Sequence, residues 1–224
     1  MKRSFLKTAD GSLTIHLPEW DEQYHSKHGA IAEAKYVYIQ EGYDFYRTQN
    51  PITSPVRILE IGFGTGLNCL LTKILASELG QEIRYTGVEK FPVEPQEASQ
   101  LNYMTQLKQK GLDFKILHES PWEQWNKLSA DFTFFKHQND FVDLNYSDQF
   151  DVLYFDAFGP RVQPELWTEA IFKSMYEAMS PKGVLVTYCC QGNARRAMTK
   201  VGFTVVRLPG PPGKRHMLRA VKMP

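Results

Sequence analysis

One stretch limits what this chain can become: Val56-Arg57-Ile58-Leu59-Glu60-Ile61, then Gly62-Phe63-Gly64-Thr65-Gly66-Leu67-Asn68. Four of the first six residues are β-branched or leucine, so the segment reads as a short buried strand ending at Glu60. Gly62, Gly64 and Gly66 then mark a turn whose backbone, free of β-carbons, can bend tightly and approach a ligand closely. Leu67, Leu70, Leu71, Ile74 and Leu75 recur beyond it at helical spacing, so the turn leads into a helix N-terminus. Strand, glycine turn and helix make a nucleotide-type cradle. A ligand-free turn is the alternative, but three glycines in five residues carry an entropic penalty that such a turn does not require.

Glycine spacing separates the nucleotides. A dinucleotide fold writes Gly-x-Gly-x-x-Gly so that a helix N-terminus faces a pyrophosphate. This chain writes Glu60-x-Gly62-x-Gly64-x-Gly66, and an acid before the loop repels phosphate and suits a cation, such as the sulfonium and ammonium of S-adenosylmethionine. A second acid, Glu89, follows the apolar run Ile83–Val88, where a doubly wound fold places the carboxylate that binds ribose hydroxyls. Asn139-Asp140-Phe141 follows a third strand, Phe132–His137, preferred over the competing segment Phe114–Leu117. An acid or amide there can bond the adenine amino group while Phe141 packs on the ring; surface turn chemistry explains the same residues.

The 224 residues suffice for one α/β domain with a little left over. Asp10-Gly11 before alternating Leu13, Ile15 and Leu17 signals a hairpin, and a helical pattern runs from Ile31 to about Phe45. Residues 1–50 are therefore expected as a hairpin and helix extension, and 51–224 as a Rossmann-like core. Strands at 56–60, 83–88, 132–137, 151–155, 184–188, 203–208 and 216–221 total seven, with Trp122 and Trp125 stapling a connecting segment to the body. A helix spans about Thr168–Met179 with Thr168 as N-cap, Pro181-Lys182-Gly183 turns into the strand at 184, and a further helix runs from Ala194 to Val201.

Three cysteines, Cys69 and the pair Cys189-Cys190, have no metal or redox spacing. His25 and His28 stand three apart without further ligands, so no metal is expected. No apolar run approaches the ~20 residues of a membrane helix, and Met1–Leu6 lacks a targeting core, so a cytoplasmic location off the membrane is expected. Charge is uneven: Lys182 onward holds nine basic residues and no acid, leaving 17 basic and all 25 acidic residues before it. That asymmetry suits either a polyanion bound at one end or solvated helix and strand faces.

Asp156 ends the buried run Asp151–Phe155 and is followed by Ala157-Phe158-Gly159-Pro160. Methyl transfer from sulfonium is an in-line displacement, so a protein supplies position and a deprotonated nucleophile. A strand-end carboxylate can hold an ammonium, accept its proton and orient the freed lone pair, while Phe158 stacks on a base. A chain-turning role is the alternative for this segment.

These blocks, with Glu89-Lys90-Phe91-Pro92, Pro164-Glu165-Leu166-Trp167, Gly213-Lys214-Arg215-His216-Met217-Leu218 and the opening Tyr24-His25-Ser26-Lys27-His28-Gly29-Ala30, resemble the methyltransferase half of the MnmC family. The resemblance covers nearly the whole chain. It implies a Rossmann-like class I S-adenosylmethionine-dependent methyltransferase with a seven-stranded mixed sheet, acting on the aminomethyl nitrogen of 5-aminomethyl-2-thiouridine at the tRNA wobble position. It implies a donor site of Glu60, Gly62, Gly64, Thr65, Gly66, Asn68, Glu89, Lys90, Asp140 and Phe141. Asp156 is then catalytic, and Phe158, Pro160, Lys214 and Arg215 face the tRNA. Bifunctional members continue into an FAD-dependent oxidase, whereas this chain ends at Pro224. The expectation is methyl transfer alone, without FAD, on a substrate supplied by a separate enzyme. His216 stands where many relatives have an acid. Polyamine aminopropyltransferases, small-molecule amine N-methyltransferases and a donor-free RNA-binding module are the rival readings.

Overall fold

The computed structural model describes residues 2–109 and 114–224; Met1, first residue of the N-terminal segment read above, lies outside them. An N-terminal antiparallel sheet comprises β1 (Ser4–Lys7), β2 (Leu13–Leu17) and β3 (Glu22–Gln23). A helical rod follows as α1 (Ala30–Ala34), a π-helical stretch (Lys35–Asp44) and α2 (Phe45–Gln49). Next come β4 (Val56–Ile61), α3 (Leu67–Leu79), β5 (Ile83–Val88), the short helices α4 (Pro95–Ala98), α5 (Tyr103–Gln106) and α6 (Lys115–Glu119), then β6 (Trp125–Ser129) and β7 (Phe132–His137). The chain closes with β8 (Phe150–Phe155), α7 (Glu169–Ala178), β9 (Met179–Thr187), α8 (Gly192–Lys200), β10 (Thr204–Pro209) and β11 (His216–Val221).

The large sheet has the order β10-β11-β9-β8-β4-β5-β7-β6. Its centre, β9 to β7, is parallel; β11 and β6 run against it, and β10, antiparallel to β11, runs with it again. The sheet therefore has eight strands where seven were expected. The addition is β6, whose Trp125 pairs with Phe135 and Lys127 with Thr133 on the sheet edge. Edge strands need carry few apolar residues, and this one exposes Trp125 and Lys127, so its sequence lacks the buried run that marks a central strand. Trp125 thus begins a strand instead of stapling a linker; Trp122 does pack inward, against Phe63 and beneath the Lys136 ammonium.

Of two further segments, one agrees with expectation and one differs. Phe132–His137 is the strand, as preferred. Phe114–Leu117 leads into helix α6. Pro181-Lys182-Gly183 lies within β9, where the register jumps: Phe150 pairs with Met179 but Val152 with Val184. A bulge absorbs the extra residues, with Lys182 at φ 66° donating its N–H to the Lys222 carbonyl at 2.7 Å.

Strand alternation divides the core. Val56 and Ile58 of β4 and Val152 and Tyr154 of β8 face the helical rod and α3, whereas Leu59, Ile61, Leu153 and Phe155 face α7 and α8. By the same period, Glu60 and Asp156 fall on the rod side at adjacent strand ends. Gly42 lets the rod lie close on the sheet, since a β-carbon there would stand 2.8 Å from Val186. The order of the parallel strands reverses between β4 and β8, so the fold places both acids at its topological switch point, where open α/β sheets bind ligands. Among the described residues no helix is long and apolar enough to cross a membrane.

Candidate active site

A cleft of about 800 Å³ opens over the switch point. It gathers Glu60, Gly62, Gly64, Thr65, Asn68, Glu89, Lys90, Asp140, Phe141, Asp156 and Phe158, drawn from four separate parts of the sequence. Gly66 stands just behind as the left-handed N-cap of α3, at φ 73°.

The glycine loop is held by contacts that leave no room for side chains. A β-carbon on Gly62 would lie 2.7 Å from the Asp156 carbonyl, so glycine is what allows the ends of β4 and β8 to meet. Gly64, at φ 49°, donates its N–H to Glu89 Oε2 at 3.0 Å and lies under the Tyr24 ring. Phe91 N–H donates to Glu89 Oε1 at 2.9 Å. Each Glu89 oxygen thus accepts one backbone bond and keeps a lone pair for a ligand hydroxyl. Burial raises the Glu89 pKa, and those two backbone bonds oppose the rise.

Beneath the loop, Thr65 is pinned from three sides. His118 Nε2 donates to its carbonyl at 3.0 Å, Tyr103 donates to its hydroxyl at 3.1 Å, and His25 Nε2 lies 3.4 Å from that hydroxyl. Burial lowers both histidines to about 4, so they are neutral props at physiological pH. His25 is engaged by Thr14 and Thr65, while His28 packs on Gly213, so the two diverge.

Asn68, in the first turn of α3, joins the two acids. Its Nδ2 donates to Glu60 Oε1 and to Asp156 Oδ2, each at 2.8 Å. The other Asp156 oxygen, Oδ1, accepts from the Tyr38 hydroxyl at 2.5 Å. Glu60 Oε2 and Asn68 Oδ1 are buried without a partner. Burial, and then the Asp156 charge, push the Glu60 pKa well above the usual carboxylate range. Burial likewise raises Asp156 to about 7; the Tyr38 bond opposes the rise, nearby Glu33 adds to it, and Asn68 and Lys214 oppose it. Two acids this close and this buried resist ionising together, so an entering cation would be welcomed by both.

Several residues here carry no role in the sequence reading. Tyr38 lies one turn beyond Ala34 on the buried face of the rod, and a hydroxyl on a core face signals a partner. Trp20 and Tyr24, brought by the loop joining β2 to β3 and the chain just after it, meet Phe158 edge to face at 5.6 and 5.1 Å. Arg3 donates to the carbonyls of Phe91 and Pro92 and to Glu97, tying β1 over the Glu89 loop. Lys90 pairs with Asp140 across the cleft mouth.

Pro160, Lys214 and Arg215 lie outside the lining of this cleft. Lys214 is turned inward: its ammonium meets Glu33 at 2.6 Å and stands 3.7 Å from the centre of the Tyr188 ring. Arg215 is exposed. Three more cations of the basic C-terminal portion are paired, Lys200 with Glu169, Arg219 with Glu41 and Lys222 with Asp148. Part of the charge asymmetry is therefore consumed by ion pairs with the acidic portion of the chain.

Comparison with known proteins identifies the family. A family model of S-adenosyl-L-methionine-dependent methyltransferases matches residues 96–223. The tRNA 5-methylaminomethyl-2-thiouridine biosynthesis bifunctional protein MnmC of Hydrogenovibrio crunogenus is 27% identical over 213 residues, covering 88% of this chain and 31% of that protein. Its namesake from Aeromonas hydrophila is 26% identical, covering 92% and 34%. The chain thus spans about a third of the length of the curated relatives it matches. Among solved structures, MnmC2 from Aquifex aeolicus superposes with a TM-score of 0.74 at 24% identity, covering all of this chain and 72% of that one. Spermidine synthase from Thermotoga maritima gives 0.63 at 15% identity, covering 98% and 69%. The fold is thus shared with both MnmC2 and spermidine synthase.

Proposed function

The chain belongs to the S-adenosyl-L-methionine-dependent methyltransferase family, and from that premise we propose that it methylates the aminomethyl nitrogen of 5-aminomethyl-2-thiouridine at the wobble position of tRNA. The observation that carries the reading is the chain of bonds Glu60–Asn68–Asp156–Tyr38, which couples an acid on the glycine-loop side to an acid facing the acceptor side. The names of the MnmC relatives support the choice of acceptor.

The donor fits the residues present. Positive-φ glycines leave a backbone cradle, Glu89 retains free lone pairs toward a ribose, and the orphaned Glu60 Oε2 and Asn68 Oδ1 offer acceptors to an ammonium. When bound, the donor supplies an electrophilic methyl group. Glu60, Gly62, Gly64, Thr65, Gly66, Asn68 and Glu89 hold it, with Lys90, Asp140 and Phe141 at the adenine end.

On the acceptor side, an aliphatic amine with a pKa near ~10 arrives protonated. Asp156 draws that ammonium in, and at a pKa of about 7 it takes the proton against a gap of roughly three units, equivalent to ~4 kcal/mol. Burial narrows the gap, because a desolvated ammonium gives up its proton more readily. Tyr38 and Asn68 fix the two carboxylate oxygens, so the freed lone pair is aimed rather than merely made. Trp20, Tyr24 and Phe158 form an apolar wall against which the pyrimidine ring stacks.

Incubation of the purified protein with labelled donor and tRNA carrying 5-aminomethyl-2-thiouridine tests this reading. Label should enter that nucleoside alone. Transfer to putrescine from decarboxylated donor, with none to tRNA, would replace the proposal with the aminopropyltransferase reading.

A further inference from the structure

Among the described residues, one face of the large sheet carries no helix over β7, β6 and the start of β5, although Thr86 and Val88 of β5 are themselves buried. On that side α7 and α8 pack against β4, β8, β9 and β11. The crossover from β7 to β8, where a doubly wound sheet usually carries a covering helix, has only the three-residue 3-10 turn Phe141–Asp143. A second cleft of about 370 Å³ lies there, lined by Trp125, Phe135, Arg57, Arg84, Thr86 and Tyr146 among others, and among the described residues no carboxylate lines it.

The pairing register sets this face in two rows. Trp125, Phe135 and Thr86 stand side by side across three strands, and Lys127, Thr133, Arg84 and Arg57 form the next row toward the strand starts. Rows two residues apart are separated by roughly 7 Å. Trp125 is 55% exposed, with its ring 5.6 Å from that of Phe135. Asp151 holds Arg57 from behind, itself almost wholly buried, and leaves the arginine side chain 39% exposed. Glu82 meets Arg84 only at 3.9 Å with both side chains in solvent, a contact too weak to cancel that charge. An open aromatic ring beside a line of cations is the chemistry of a single-stranded polynucleotide: bases stack on the ring whatever their identity, and phosphates follow the charges.

We propose that this face binds a single-stranded segment of the RNA substrate, with a base on Trp125 and phosphates along Arg84 and Lys127, an inference that rests on the tRNA reading above. Thr86 and Arg84 lie two and four residues before the end of β5, so the rows sit roughly 7 and 13 Å from the sheet edge that bears the reaction cleft. An RNA with one nucleotide in that cleft can lay its neighbours across this face. A second copy of the chain fits less well, because a twofold contact would bring the cationic row against itself.

The test uses the full chain and an unmodified tRNA transcript, with affinity followed by anisotropy at several salt concentrations. Trp125→Ala should weaken binding roughly 5- to 150-fold, the worth of one base stacked on an aromatic ring, and Trp125→Phe should retain most of it. Arg84→Ala should reduce the slope of log affinity against log salt by about one. Unchanged thermal stabilisation by S-adenosylmethionine certifies that each variant is folded. Wild-type affinity in Trp125→Ala would overturn this surface while leaving the tRNA reading standing. A dimer that dissociates in Trp125→Ala with RNA affinity intact would assign the face to a second copy instead. A wild-type protein with no tRNA affinity would overturn both.

Discussion

Tyr38→Phe isolates the positioning of Asp156 without touching the carboxylate. The substitution removes only the hydroxyl that donates to Asp156 Oδ1, and the ring can stay packed against Tyr154. A hydrogen bond to a charged group is worth ~1.5 to 3 kcal/mol, which converts to roughly one to two pKa units. Asp156 should therefore climb from about 7 by that amount. The active form is the carboxylate, which exists above the pKa, so the loss falls on the acidic side of the rate profile. Near pH 7 the ionised fraction drops from about a half to between roughly a tenth and a hundredth, and kcat/KM should fall about 5- to 50-fold. Above pH 9 the variant should recover most of the wild-type rate. The assay is methyl incorporation into aminomethyl-uridine tRNA from pH 6 to 10, with thermal stabilisation by the donor as the folding control. A rate lowered by one factor at every pH, or an unshifted acidic limb, would refute the claim that Tyr38 sets the ionisation of Asp156.

Glu89→Ala should weaken donor binding by roughly 10- to 150-fold through lost charged hydrogen bonds, measured by calorimetry; unchanged affinity would move Glu89 off the site. Asp156→Asn should lower turnover by roughly 10²- to 10⁴-fold with little change in donor affinity. The same variant should also alter stability. The folded pKa of Asp156 is raised from 3.8 to about 7, so its contribution is fully present below 3.8 and is lost as pH rises through 7, on the order of 4 kcal/mol in all. Urea unfolding of the donor-free proteins should therefore show wild type losing ground to the asparagine variant between pH 4 and 8, and parallel curves would contradict the buried-charge account. Lys214→Ala leaves the buried Glu33 carboxylate unpaired, so it should lower the melting temperature, whereas exposed Arg215→Ala should change only tRNA binding and its salt slope. A Lys214→Ala protein as stable as wild type would return that residue to the phosphate-binding role.

The parallel centre of the sheet is legible because largely buried strands are written as mostly apolar runs, and Val56–Ile61, Ile83–Val88 and Phe150–Phe155 are such runs, with Arg84 the one exposed position of the second. Glu60 and Glu89 stand out for the same reason, as acids that interrupt or close those runs. β6 is hidden because an edge strand needs one apolar face at most, and its Trp125 and Lys127 point to solvent. Tyr38 is hidden for a different cause. Its helical position reads as core, and only the fold reveals that the hydroxyl reaches a carboxylate 118 residues away. Lys214 is misleading in isolation, since a lysine in an acid-free stretch suggests a polyanion until the fold places Glu33 against it. Local pattern thus encodes strands and the glycine cradle, while pairings across the chain decide which charges remain free to act.

The most direct test of the central claim is nucleoside mass spectrometry of tRNA from cells lacking this gene. The account predicts accumulation of 5-aminomethyl-2-thiouridine and loss of its methylated form, restored by the wild-type gene but not by one encoding Asp156→Asn. An unchanged nucleoside profile in the deleted cells, with no relative present to substitute, would contradict it.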